Sequence, residues 1–284
     1  MTAQRAPIET DERSGVLHPE NLPRFAAEWI TPADRVSAVV AAYWTVSWNL
    51  GAGESIAQKI IDFPAVTLSI ESGRVPAPLV ISVARPGVWQ RIVAGEGRVF
   101  AIRLRPAGLA VVSQLDVTRL AAEQAITAEL DGRLHRLLQR ISAGRTPTEM
   151  AELADDALND ALAGHPLTYR QHLANDAFDL LTGAPVANIG GEVAATLGCD
   201  VRTLQRALRE TVGMGPSEVG RRLRVQEVVR RLSLPDARPA AIAADLGYVD
   251  QAHMIRDFRA AAGITPGQYL RDISAAHAEA TEAP

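Results

Sequence analysis

"LGYVDQAHMIRDFRAAAGITPGQYL", residues 246–270, is the stretch whose reading decides the fold. Gly247 ends a short helix in which Ile242 and Leu246 face inward, and Asp250 caps the next one with its carboxylate. Met254 and Phe258, four residues apart, make the buried stripe of that second helix, which leaves Gln251, His253, Arg256 and Arg259 outside. Gly263 closes the helix and Pro266 opens another. The same plan stands upstream in "IGGEVAATLGCDVRTLQRALRETVGMGPSEV", residues 189–219. There Ile189, Val193, Ala194 and Leu197 face inward, Gly198 makes the turn and Asp200 caps the helix. Leu204, Ala207 and Leu208 are its buried stripe, Arg202, Thr203, Gln205, Arg206 and Arg209 its outer face, and Gly213 and Pro216 its exit. Asp200, Arg206, Gly213 and Pro216 meet Asp250, Arg256, Gly263 and Pro266 at a constant offset, so the region is a tandem of two helix-turn-helix units.

A helix that reads DNA must hide one stripe and offer the opposite one to the major groove, about 12 Å wide, where arginine pairs with guanine and glutamine with adenine. Both outer faces carry such donors. Between the units, "SEVGRRLRVQEVVRRLSL" (217–234) places Val219, Leu223, Val225, Val228, Val229 and Leu232 on an inner stripe. Its Arg221, Arg222, Arg224, Arg230 and Arg231 are candidates for phosphate contacts, a solvated face being the competing reading.

On "VAATLGCDVRTLQRALRETVGMGP" and "LGYVDQAHMIRDFRAAAGITPGQYL", residues 170–272 resemble the AraC/XylS family of bacterial transcription regulators. The resemblance implies an all-α double helix-turn-helix joined by a long helix. It puts base reading on Arg202, Gln205 and Arg206 in the first unit, and on Gln251, Ala252, His253, Ile255 and Arg256 in the second. Ala252 and Ile255 depart from that pattern, since they offer only apolar contact, for example with thymine methyls. The implied partners are operator DNA with two major-groove half-sites, RNA polymerase and a second copy of the chain.

Toward the N-terminus the rhythm changes. "YWTVSWNL", "KIIDF", "AVTLSI", "LVISVA", "VWQRIV" and "RVFAIRLR" are short runs separated by "GAGES", "ESGRVPAP", "ARPG" and "AGEG". About six strands in a small barrel or sandwich are expected, with Phe100, Ile102 and Leu104 on one face and Arg103 and Arg105 on a wet one. "AAYWTVSWNL" and "GRVFAIRLRPAGL" loosely resemble the β-rich sensor half of the same family, which implies a small effector or dimerisation. Trp44, Trp48, Trp89 and Phe100 are the candidate effector-pocket residues, with core packing as the alternative. After Pro106 the spacing is helical: Leu130, Leu134, Leu137, Leu138 and Ile141, then Met150, Leu153, Leu158 and Leu162, predict two connecting or dimer-packing helices. The expected organisation is α+β: a poorly ordered tail over 1–24, a β-rich sensor or dimerisation region with helical connector over 25–163, a DNA-binding region over 167–273 and a tail over 274–284.

Composition narrows the function. The 284 residues have a net charge of −4, which argues against wrapping nucleic acid with the whole surface but not against a local basic face. Nearly all positive charge is arginine, Lys59 being the only lysine. Apolar stretches fall short of the roughly 20 residues a membrane span requires, and "MTAQRAPIETDERSG" has no apolar signal core, so a cytoplasmic protein without membrane contact is expected. A single cysteine, Cys199, excludes an internal disulfide. None of His18, His135, His165, His172, His253 and His277 falls in an expected strand, so no metal or other cofactor is expected. "GAGES" reads as a hairpin turn, and Glu152, Asp155 and Asp156 as a solvated helix face. No catalytic constellation emerges and no enzyme is expected; a DNA-repair alkyl acceptor at Cys199 lacks the accompanying metal-binding cysteines.

Overall fold

Strand-forming runs rich in Val, Ile, Thr and aromatics occupy the N-terminal half, as their alternation requires. The computed structural model describes residues 15–183, 189–234 and 237–282. In chain order it has β1 (Gly15–Val16), β2 (Phe25–Ile30), β3 (Val40–Asn49), β4 (Ser55–Ile61), β5 (Val66–Gly73), β6 (Leu79–Val83), β7 (Trp89–Ala94), β8 (Glu96–Leu104), α1 (Gly108–Val112), β9 (Glu123–Ala125), α2 (Ala128–Ile141) and α3 (Pro147–Gly164). The C-terminal half holds α4 (Tyr169–Gly183), α5 (Ile189–Thr196), α6 (Val201–Val212), α7 (Pro216–Leu232), α8 (Pro239–Asp245), α9 (Gln251–Ala262) and α10 (Pro266–Glu282).

The strands form two antiparallel sheets, one ordered β1-β4-β7 and one ordered β2-β3-β8-β5-β6-β9. The arrangement is sandwich-like, not a closed barrel. All six expected strands are present, and β1, β2 and β9 join them. "GAGES" is a turn, but not a hairpin: β3 pairs in the larger sheet and β4 in the smaller, so Gly51–Ser55 carries the chain from one to the other. Arg91 of β7 ties the sheets together. It donates to both Glu71 carboxylate oxygens (2.8 and 3.2 Å) and pairs with Glu123 at 2.8 Å, while the Ser69 hydroxyl and the Trp89 indole N–H complete the carboxylates' partners. With Glu71 buried and Arg91 and Glu123 half-buried, this Glu–Arg–Glu group is tolerable because nearly every charged atom has a partner.

One face of the larger sheet is roofed by α2 and α3. Tyr43, Phe100, Ile102 and Leu104 pack there with Leu134, Leu138, Ile141, Ala154 and Leu158 in one core. The helices' apolar faces are therefore used within the chain. The opposite face is not wet as expected: Arg103 lies over Trp29, Trp44 and Phe63, and Arg105 pairs with Asp179 of α4 at 2.7 Å. Asp155 also differs from the solvated face expected of it. It is buried and accepts hydrogen bonds from the Tyr43 hydroxyl (2.8 Å) and the Ala33 amide, fixing α3 across the sheet, while Glu152 and Asp156 stay exposed.

Residues 15–24, expected within the tail, are built into the fold. Val16 and Leu17 are buried, and β1 pairs with β4. Residues 1–14 of that tail lie outside the described residues, as do the side chains of Ile189 and His277. At the other end α10 continues through the segment expected as a tail, as far as Glu282. Thr168 caps α4: its hydroxyl accepts the Gln171 amide at 3.4 Å, and its own amide donates to the Gln171 side-chain oxygen at 2.8 Å. Among the described residues no helix is long and apolar enough to cross a membrane, and no cluster of three or more His, Cys, Asp and Glu side chains is placed to hold a metal ion.

Candidate nucleic-acid interface

Each unit of the tandem has its own core. α4, α5 and α6 close around Leu173, Phe178, Val193, Leu204 and Leu208; α8, α9 and α10 close around Ile242, Leu246, Met254, Phe258 and Tyr269. α7 passes between them with Val219 and Leu223 in the first core and Val225, Val228, Val229 and Leu232 in the second.

The caps are made as the motif requires. The Asp200 carboxylate accepts the Thr203 amide at 2.9 Å and the Thr203 hydroxyl at 2.7 Å, and these hydrogen bonds hold its pKa below the ordinary carboxylate value. Asp250 accepts the His253 amide at 2.6 Å. Gly213 and Gly263 end α6 and α9 at φ 76° and 75°, and Gly198 and Gly247 make the turns at φ 63° and 69°. These four left-handed positions favour glycine, which has no Cβ to meet the following carbonyl.

The caps set the outer faces. On α6, Arg202, Gln205, Arg206 and Arg209 are exposed; Thr203 is half-buried with its hydroxyl committed to Asp200. On α9, Gln251, Ala252, Arg256 and Arg259 are exposed, and His253 and Ile255 half-buried. His253 meets the Tyr248 ring edge-on at 5.3 Å and stands 3.8 Å from Asp257, so part of its surface is occupied within the chain. Among the described residues, none of Arg202, Arg206, Arg209, Arg256 and Arg259 makes an ion pair. An exposed guanidinium without a carboxylate partner is set up for guanine or phosphate.

The linker helix differs. Only Arg221 of its five candidate phosphate contacts is exposed. Arg222 is 8% exposed and donates to the Asp62 carbonyl at 2.7 Å and the Gly87 carbonyl at 3.2 Å, beside the Asp62 carboxylate. Burial lowers its pKa to about 10, so it stays charged at neutral pH. Arg224 lies over the Tyr248 ring at 5.1 Å, and Arg230 and Arg231 hold Glu227. Gln226 adds a hydrogen bond to the Ile61 carbonyl at 2.7 Å.

Sequence reasoning missed a second wall of the site. The outer face of α6 opens on a cleft of about 420 Å³, where Arg202, Gln205, Arg206 and Arg209 are faced by Asp116 and Thr118 from the N-terminal half. Both belong to a single 3₁₀ turn, Val117–Arg119, and its cap. Arg85 anchors the turn by donating to the Val117 carbonyl at 2.8 Å and to the Leu120 carbonyl. "LDVTR" (115–119) carries the cap residue Asp116, but no local signal says that it lies beside a helix some 90 residues on.

The candidate effector residues are dispersed. Trp44 stacks on Trp29 at 5.1 Å, Trp48 is buried with Leu50, Ile56 and Val93, and Trp89 donates to Glu123. Phe100 lines a cavity of about 450 Å³ under α2 and α3. Cys199 is half-buried; burial, with the Asp200 charge beside it, raises its thiol pKa, the wrong direction for a nucleophile.

Residues 193–272 match the family model of a helix-turn-helix domain, and residues 28–125 that of a domain of unknown function. No curated protein matches the chain by sequence. Among solved structures, ToxT from Vibrio cholerae is 10% identical over 89% of this chain and 99% of its own, with a TM-score of 0.38. ToxT bound to (E)-4-(8-methylnaphthalen-1-yl)but-3-enoic acid is 10% identical over 88% and 98%, with a TM-score of 0.39. The unsaturated-fatty-acid-bound protein is 11% identical over 87% and 94%, with a TM-score of 0.35. The matched segment, the paired caps and the two arginine-bearing outer faces agree: residues 193–272 of this chain are a helix-turn-helix domain.

Proposed function

We propose that the chain is a sequence-specific transcription regulator that reads double-stranded DNA through α6 and α9, under the control of a small effector bound in the N-terminal half. The observation that carries this reading is the pair of identically capped helices whose outward arginines have no carboxylate partner among the described residues. Residues 167–273 are the reading unit and residues 25–163 the controlling one. The two helices enter successive major grooves on one side of the duplex, about 34 Å apart. Arg202, Gln205 and Arg206 read bases in the first groove, and Gln251, His253 and Arg256 in the second, with Ala252 and Ile255 against thymine methyls. Arg209 and Arg259 hold the flanking backbone, while Thr203, whose amide and hydroxyl both donate to Asp200, fixes the cap.

The Asp116 wall gives control a physical form. A carboxylate across the cleft from three arginines stands where phosphates would arrive, so DNA entry requires the 3₁₀ turn and α6 to separate. Selection of binding sites from a random duplex library by the full-length protein tests the reading, followed by salt titration on selected and scrambled DNA. Two enriched blocks one helical turn apart support it. One block reduces the second unit to a backbone clamp, and equal affinity for selected and scrambled DNA defeats base reading.

A further inference from the structure

We propose that the effector site is the cavity between the larger sheet and the α2–α3 roof, and that it takes a small carboxylate with an apolar, aromatic-sized body. The proposal rests on the reading of the N-terminal half as a sensor. The cavity, about 450 Å³, is within the size range of small-molecule sites. Its floor comes from Thr45, Ile70 and Phe100 on one face of β3, β5 and β8, its roof from His135 and Gln139 of α2 and Met150 of α3. Ile70 and Met150, half-buried apolar side chains of the lining, suit the flat face of a ring.

The charge of the lining selects the ligand's sign. Arg98 and Arg145 line the mouth with His135 between the sheet and α2. Arg98 makes no ion pair among the described residues, and Arg145 has only Glu149, at 3.8 Å on the exposed side. Glu71 is the one acidic residue in the lining, and both its carboxylate oxygens are taken by Arg91, with Ser69 on one of them. A bound carboxylate would receive charge-assisted hydrogen bonds from the two guanidinium groups; an amine would find no free acid.

The position of the cavity also gives a ligand leverage. α2 lines it with His135 and Gln139, and at its other end holds the segment leading to the 3₁₀ turn beside α6. Asp131 accepts the Ser113 hydroxyl at 2.5 Å, and Arg133 donates to the Val111 carbonyl at 2.9 Å. A ligand that shifts α2 therefore acts on the turn that carries Asp116.

The test is a thermal-shift and calorimetric titration of the full-length protein with benzoate, phenylacetate and 3-phenylpropionate, each beside its uncharged amide. At least one acid is expected to raise the melting temperature and its amide to have no effect. In the Arg98→Gln/Arg145→Gln double variant, whose exchanges lie at exposed positions, affinity for that acid should fall at least about tenfold with the unliganded melting temperature kept. No shift from any acid, equal shifts from acid and amide, or undiminished affinity in the double variant overturns the site. DNA affinity is measured separately by anisotropy on selected duplex. Loss of acid binding with DNA binding intact defeats the site alone, whereas acid binding without DNA binding supports the site and defeats the regulator reading.

Discussion

Arg206 and Arg256 occupy the same position in the two repeats, exposed on the face opposite Leu204–Leu208 and Met254–Phe258. Replacing either with Ala removes one guanidinium and leaves the helix core untouched. Each exchange should weaken binding to selected DNA by about 1–3 kcal/mol and relax preference at one base position. Anisotropy on selected and scrambled duplex checks this; equal losses on both would assign the residue to phosphate. Arg256 was legible because a periodic buried stripe defines its outward face. His253 was only half legible: its spacing places it outside, but its contacts with Tyr248 and Asp257 come from tertiary neighbours.

The helix ends carry much of the positioning. Gly263 sits at φ 75° with nothing within 4 Å of where a Cβ would stand, so Gly263→Ala adds backbone strain alone. It should cost about 1–2 kcal/mol of stability in urea denaturation. At the other end of a repeat, hydrogen bonds from the Thr203 hydroxyl and amide depress the pKa of Asp200. The cap's contribution is therefore present above the unfolded carboxylate value and lost as pH falls through the lower folded one. The difference in melting temperature between the wild type and Asp200→Ala should be clear near about pH 7 and shrink in acid, at about pH 3 and below. A difference independent of pH would remove the charge from the cap's role. These ends could be read in advance because Asp, Gly and Pro act locally; β9 could not, since "EQA" becomes a strand only by pairing with β6.

On the scale of the molecule, both helical cores include residues from the strand region: Ala84 and Phe63 in the first, Leu17 and Ile61 in the second. Asn175 bridges the Ala107 amide and the Ala38 carbonyl, and the Tyr269 hydroxyl reaches the Val16 carbonyl at 3.2 Å. Arg222 is the charged centre of this junction. Arg222→Ala would leave the Asp62 carboxylate and two carbonyl groups without their donor, and should destabilise the protein by about 3 kcal/mol, the lower end for a broken buried pair because Asp62 keeps some contact with water. Chemical denaturation measures it. A loss below about 1 kcal/mol would mean that the junction is held by its apolar contacts and its other hydrogen bonds, with little from Arg222.

The chain by itself determined the tandem of capped helices, the outward arginines, the buried stripe of α7 and the six strands β3–β8, because each rests on spacing within one turn or one strand. The tertiary structure alone decided that the strands divide between two sheets, that Asp155 and Arg222 are buried, and that Asp116 faces the first reading helix. Those outcomes join residues far apart in the sequence, as Ser55 with Ala94 or Tyr43 with Asp155, where burial and charge are set by whichever surface arrives and no local pattern records the arrival.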